Sequence, residues 1–240
     1  MSEKEKITAH IGICVYEHEA PLAVEAETTF PAAFVQRELD AESYSTICLP
    51  FNLTTLEDTP FENATVMKFT GVEKKTENGD NRILLTFAPV SFSGEDIMEA
   101  GKPYLVKVNA PIEGGVDNIF ENVTCPVIGT EGGTVEHGGV TFKGILKPTD
   151  FEASETNLFL VADDRLATLT AEGRVNGLRA YFIIPDDVEP SNIQVKIMDK
   201  VSTGVDNTDG NTHPTKYMQD GQTYIQRGND VYNLSGAKVK

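Results

Sequence analysis

The sequence predicts an all-β fold: an antiparallel β-sandwich, of jelly-roll or Ig-like type, followed by a small C-terminal β-hairpin unit. Three observations carry that expectation. Apolar residues recur at every second position in short runs, the period of a half-buried strand, and there is almost no helical periodicity. The runs are bounded by Gly, Pro, Asn and Asp, which end strands and make turns. Strands do not alternate with long amphipathic helices, as they would around a parallel sheet.

The elements follow in chain order. Strands are read at 11–16, 46–49 and 65–69, then in Ile83-Leu84-Leu85-Thr86-Phe87, where Ile83, Leu85 and Phe87 share one face. Tyr104, Val106 and Val108 alternate with Leu105, Lys107 and Asn109, giving one apolar and one partly wet face. Further strands are read at 134–136, 140–145, 158–162 and 166–170. Leu178, Ala180, Phe182 and Ile184 alternate with Arg179, Tyr181 and Ile183, and Ile193, Val195 and Ile197 alternate with Gln194, Lys196 and Met198. Glu77-Asn78-Gly79-Asp80-Asn81 reads as a hairpin loop, and Ala171-Glu172-Gly173 as a second between Leu169 and Val175. Two short helices are expected. Ser93-Gly94-Glu95-Asp96 offers a capping box into Ile97-Met98-Glu99-Ala100, stopped by Gly101. Residues 33–39 read as the other, although Val35-Gln36-Arg37-Glu38-Leu39 also alternates as a strand would. The core these faces predict is Ile47, Leu49, Phe51, Phe69, Leu85, Phe87, Val106, Phe142, Phe159, Ala180, Phe182 and Val195.

The sharpest change of composition lies near residue 202, where 202–212 carries one sizeable apolar side chain, Val205. The chain is therefore divided into four parts. Residues 1–34 are an N-terminal strand segment that also reads as the end of a preceding domain; 35–201 are the sandwich; 202–215 are a flexible linker; 216–240 are the hairpin tail. In the tail Thr223-Tyr224-Ile225-Gln226-Arg227, Gly228-Asn229-Asp230 and Val231-Tyr232-Asn233-Leu234 make a hairpin signal, and Ser235-Gly236 turns again before Ala237-Lys238-Val239-Lys240. A piece this short cannot bury its own apolar residues.

Charge narrows the function. The 240 residues carry 20 Lys or Arg against 37 Asp or Glu, a formal net charge of −17, which argues against a nucleic-acid partner. The hydrophobic fraction of 40% is enough for a core. No apolar run approaches the roughly 18 residues of a membrane span. The opening MSEKEKITAH shows no signal peptide, so the expectation is a cytoplasmic chain or one lacking its native start.

No motif with a chemical mechanism stands out. Cys14, Cys48 and Cys125 fit no zinc or redox spacing, and the contexts of Cys14 and Cys48 predict free core thiols, with a Cys14–Cys48 bridge as the alternative. His10, His18, His137 and His213 are scattered, and His137 reads as a turn residue. Asp206-Asn207-Thr208-Asp209-Gly210 approximates a calcium loop, but Val205 occupies the first ligand position. Asp163-Asp164 and Asp186-Asp187 read as solvated turns rather than a glycosidase pair. No catalytic residue, cofactor or metal is therefore expected. Trp is absent, so any sugar platform would fall to the strand tyrosines Tyr104, Tyr181, Tyr224 and Tyr232.

Tyr44-Ser45-Thr46-Ile47-Cys48-Leu49-Pro50-Phe51 resembles the Y-x-T-x-C-L-P-F opening of a domain near the C-termini of secreted and surface proteins of Bacteroidetes-type bacteria. Arg37-Glu38-Leu39, Glu99-Ala100-Gly101-Lys102-Pro103-Tyr104-Leu105-Val106-Lys107, Phe142-Lys143-Gly144 and Arg179-Ala180-Tyr181-Phe182 fit the same pattern. The ending, Gly221-Gln222-Thr223-Tyr224-Ile225 and then Val231-Tyr232-Asn233-Leu234-Ser235-Gly236-Ala237-Lys238-Val239, is similar to the short tail of those proteins and to type IX sorting signals. The resemblance implies a secreted or cell-surface, non-catalytic module with a cell-surface protein or glycan as partner. Any membrane association would run through an anchoring or secretion system.

Overall fold

The computed structural model describes residues 12–41, 43–77, 80–114, 118–197, 215–219, 222–227 and 230–233. The chain forms two compact units, Met1–Val201 and Ser202–Lys240.

The first unit begins with β1 (Ile13–Tyr16), β2 (Thr28–Gln36), β3 (Ser45–Cys48), β4 (Thr65–Glu77) and β5 (Asp80–Pro89). It continues with β6 (Pro103–Lys107), β7 (Ile119–Cys125), β8 (Thr134–His137), β9 (Val140–Ile145) and β10 (Thr149–Phe151). The last strands are β11 (Ser154–Val161), β12 (Arg165–Leu169), β13 (Gly173–Val175), β14 (Arg179–Ile183) and β15 (Ile193–Ile197). A central sheet runs β15-β5-β4-β6-β3, a second β12-β11-β14-β9-β8 and a third β1-β2-β7, with β10-β13 as a separate pair. The fold is an all-β sandwich. Most pairs are antiparallel, but β1 runs parallel to β2 and β15 parallel to β5.

Alternation divides the core between the two faces of the central sheet. Met67, Phe69 and Leu105 join Leu85, Phe87, Phe142 and Phe182 in one cluster. Their chain neighbours Val66, Tyr104 and Val106 join Ile47, Phe51, Ala33, Val35 and Phe120 in another. β6 therefore reads as a continuously buried run, because both its faces are covered. In the first cluster Phe142 and Phe182, register partners on β9 and β14, stack at 4.4 Å, and Phe69 and Phe87 each meet both rings nearly edge-on. Of the expected core residues, Phe159 and Val195 are only half-buried; Leu158 and Ile193 take the deeper positions.

Several expectations are corrected. Neither short helix forms. Residues 93–100 make turns and bridges, and Asp96 accepts from the Ser91 N–H and hydroxyl instead of capping a helix. Residues 33–36 belong to β2, and the expected boundary at 34/35 falls inside that strand. Val15 and Ala33, before the boundary, pack into the same cluster as Val35, after it. β2 pairs with β7, a strand hidden in the sequence because Glu121 and Asn122 interrupt its alternation; Asn122 has a φ of 53°. The 171–173 turn does not close a hairpin: β12 pairs with β11, whereas β13 pairs with β10. The 77–81 hairpin forms as expected, with Glu77 opposite Asp80.

The second unit contains β16 (Thr215–Gln219), β17 (Gln222–Arg227) and β18 (Asp230–Asn233) as an antiparallel sheet. The expected hairpin is present, and its third strand precedes it. The expected linker stretch 202–212 and the turn and strand after Leu234 lie outside the described residues.

Candidate functional site

β3 is an edge strand of the central sheet, so one side of its backbone needs partners. The second sheet supplies them. Cys48 N–H donates to Leu178 O at 3.2 Å, and the Thr46 hydroxyl accepts from Ala180 N–H at 3.0 Å. A chain of backbone bonds continues the seam: Gly101 N–H to Leu49 O, Gly133 N–H to Gly101 O, and Gly144 N–H to Gly133 O, all within 2.9 Å. The Cys48 thiol donates to Gly101 O. Only glycine fits at 144, where an added Cβ would lie 2.5 Å from the Cys48 sulfur. Burial pushes the Cys48 thiol up to about 12, so it is a neutral donor and not a nucleophile.

Beside this seam a cleft of about 400 Å³ opens between the chain entering β3, β11 and β14. Ser43, Tyr44, Ser45 and Thr46 form one side, Phe159, Leu160 and Val161 another, and Leu169 and Val175 close it. Arg37 and Arg179 complete its lining. Arg179 is paired: its Nη2 donates to Glu17 Oε2 at 2.6 Å, and Glu17 Oε1 accepts from Asn176 Nδ2 at 2.9 Å. Arg37 is different. It is 4% exposed, its Nη1 donates to Leu178 O, and its buried Nε has no partner among the described residues. Burial first, and then the Arg179 charge, pull its pKa down to about 9, while Glu17 opposes the shift. Tyr44 N–H donates to Asp164 Oδ1 at 2.6 Å, which anchors the β3 side of the cleft.

The four tyrosines named from the sequence divide between the two units. Tyr104 is buried; its hydroxyl accepts from Glu99 N–H and donates to Ile97 O, so its ring offers no face to a ligand. Burial pushes its pKa up to about 12. Tyr181 is also buried, stacked on Phe159 at 5.5 Å and edge-on to Phe151. It backs the cleft wall through Phe159 rather than lining it. Tyr224 and Tyr232 lie in the second unit on adjacent strands, opposite Asn233 and Ile225 respectively.

The remaining sequence candidates resolve as follows. All three cysteines are free, but Cys14 is exposed, because β1 turns Val15 inward. His137 ends β8 and sets its ring edge-on to Phe69 at 5.2 Å, a packing role rather than a bare turn. Asp186 and Asp187 are exposed. His10, His213 and the 206–210 loop lie outside the described residues. Among the described residues no group of three His, Cys, Asp or Glu side chains converges on a metal position, and no helix is long and apolar enough to cross a membrane.

Sequence reasoning did not single out Arg37 as a ligand residue. Its signal was a charged residue at the middle of the Val35, Arg37, Leu39 row, all three 4–5% exposed. No protein-family model, curated protein or solved structure matches the chain.

Proposed function

We propose that this chain is a non-catalytic structural and adhesion module of a secreted or cell-surface bacterial protein, with its tail, 216–240, acting as a sorting or anchoring element. One observation carries the reading: the residues of the resemblance are spent on stitching the sheets. Thr46, Cys48, Leu49, Gly101, Gly144 and Ala180 all take part in the seam that joins β3 to β14 and β9. A motif whose polar atoms are consumed by packing serves the scaffold, and a stitched edge is closed to pairing with another chain.

The test is deletion of residues 213–240, followed by the melting transition and the cellular location of the product in its native host. The expected outcome is an unchanged transition with loss of surface display. Unchanged surface attachment overturns the sorting role.

A second reading, a carbohydrate- or protein-binding module of a polysaccharide-utilisation system, is favoured by the cleft with two arginines in its lining. Binding of the purified chain on a glycan array supports it, and a blank array together with no captured surface protein counts against it.

A further inference from the structure

We propose that the cleft between β3, β11 and β14 binds a monocarboxylate, held by the guanidinium groups of Arg37 and Arg179 with its carbon body along Phe159 and Leu169. The proposal deepens the binding reading and does not depend on export or on the tail. Its failure therefore leaves the scaffold proposal standing.

Arg37 is buried and short of partners among the described residues. Guanidinium groups are almost never fully buried without an anionic partner. Here, among the described residues, Nη1 donates to Leu178 O and the buried Nε–H finds no partner. The charges that reach it are Arg179 and Glu17, with the neutral Cys48 thiol beyond. Glu17 is already committed to Arg179 and Asn176. Among the described residues, the charges that act on Arg37 therefore come to two cations, its own included, and one carboxylate, which leaves one positive charge uncompensated there. A monoanion balances that charge, whereas a dianionic phosphate would overshoot it.

Shape and wall chemistry point the same way. A planar carboxylate matches the planar fork of arginine and accepts two parallel N–H bonds. The cleft's volume of about 400 Å³ suits a single ring or a short chain. Its walls combine apolar Phe159, Leu160, Leu169 and Val175 with the hydroxyl-bearing Ser43 and Ser45. Phe159 is held by the Tyr181 stack on one side and by the edge of Phe151, so the wall is ordered before a ligand arrives.

The ligand's carbon body has two sources, a sugar acid or an apolar acid, and the experiment separates them. The full chain is titrated with galacturonate and with benzoate, and in parallel with the neutral methyl galacturonate ester and benzamide. The readouts are the arginine Nε–H signals by NMR and the melting temperature. At least one acid is expected to move the Arg37 signal and raise the melting temperature, with its neutral counterpart weaker by roughly tenfold or more. The acid that binds identifies the source. Arg37→Met is expected to weaken binding by roughly tenfold or more without lowering the melting temperature, since it removes a buried cation that no anion balances. Should that variant not fold, the acid-against-neutral comparison on the unaltered chain decides. The proposal is overturned if neither acid moves the signal, if a neutral counterpart binds as well as its acid, if sulfate binds as tightly as either acid, or if a folded Arg37→Met retains full affinity.

Discussion

The two faces of the central sheet are built from the same strands and make two different interiors. Toward the second sheet, Phe69, Phe87, Phe142 and Phe182 interlock as one aromatic cluster. Toward the third sheet, Val66, Val106, Ile47 and Phe120 share the interior with the Tyr104 hydroxyl, and its margin holds the buried Arg37 and Asn118. Asn118 is satisfied through Glu113 O, whereas among the described residues the Arg37 Nε finds no partner. The dry face draws its stability from area and packing alone. At the polar margin, individual bonds decide the outcome, and a stabilising contact there can be traded for binding.

Mutation can sharpen that contrast. The largest effect is expected on the dry face, where Phe182→Ala removes a ring that touches three others and should cost about 3–5 kcal/mol in denaturant unfolding. A loss under about 1 kcal/mol would show that the four rings do not form one packed unit.

The seam beside the cleft should be next. Gly144→Ala forces a methyl group against the Cys48 sulfur and the Gly101 carbonyl, at an expected cost of about 1–3 kcal/mol. Combining it with Cys48→Ala makes room and should recover part of that loss. Simple additivity in a double-mutant cycle would contradict the contact. Thr46→Val leaves the Ala180 N–H without its acceptor and should cost about 1 kcal/mol or a little more.

Arg37 yields a pH signature opposite to that of a paired charge. Its folded pKa, about 9, lies below its ordinary value of 12.5, so above pH 9 the folded state sheds this proton while the unfolded state keeps it. The unfolded state then binds more protons, and the Arg37 contribution to stability rises with pH between those values, by at most about 1.4 kcal/mol per unit. Arg179, Glu17 and Cys48 are the groups that act on it. Measured as wild type minus Arg37→Met, the stability difference should grow as pH climbs past 9. A flat difference would mean that the guanidinium is compensated in the folded chain.

The smallest effect is expected away from both interiors. Lys196 and Glu73 pair across the central sheet at 2.9 Å with both side chains more than 40% exposed, so Lys196→Ala should change stability by less than about 0.5 kcal/mol.

Much of this architecture was legible in the residues. Strict alternation marked β9, β14 and β15, and Asn78-Gly79 marked the β4–β5 hairpin, because side-chain direction and turn chemistry are local properties. β7 was not legible, since Glu121 and Asn122 break the period where the strand is irregular. The helix signal at 93–100 was locally sound and lost to tertiary partners: Met98 pairs with Leu53, and Asp96 accepts from Lys68. The tyrosines were chosen from their strands alone, and burial took Tyr104 and Tyr181 out of reach.

By itself the sequence determined the all-β class, most strand positions, the hairpins at 77–81 and 227–230 and the apolar face of most runs. Those follow from the chain's own period and from turn residues acting within a few positions of themselves. Tertiary structure alone decided which sheet each strand joins and that the central sheet has two covered faces. It also set the parallel pairings of β1 and β15 and the meeting of Arg37 with Leu178, 141 positions away. Strand pairing and buried charge depend on partners distant along the chain, and alternation says only which way a side chain points, not what it will meet there.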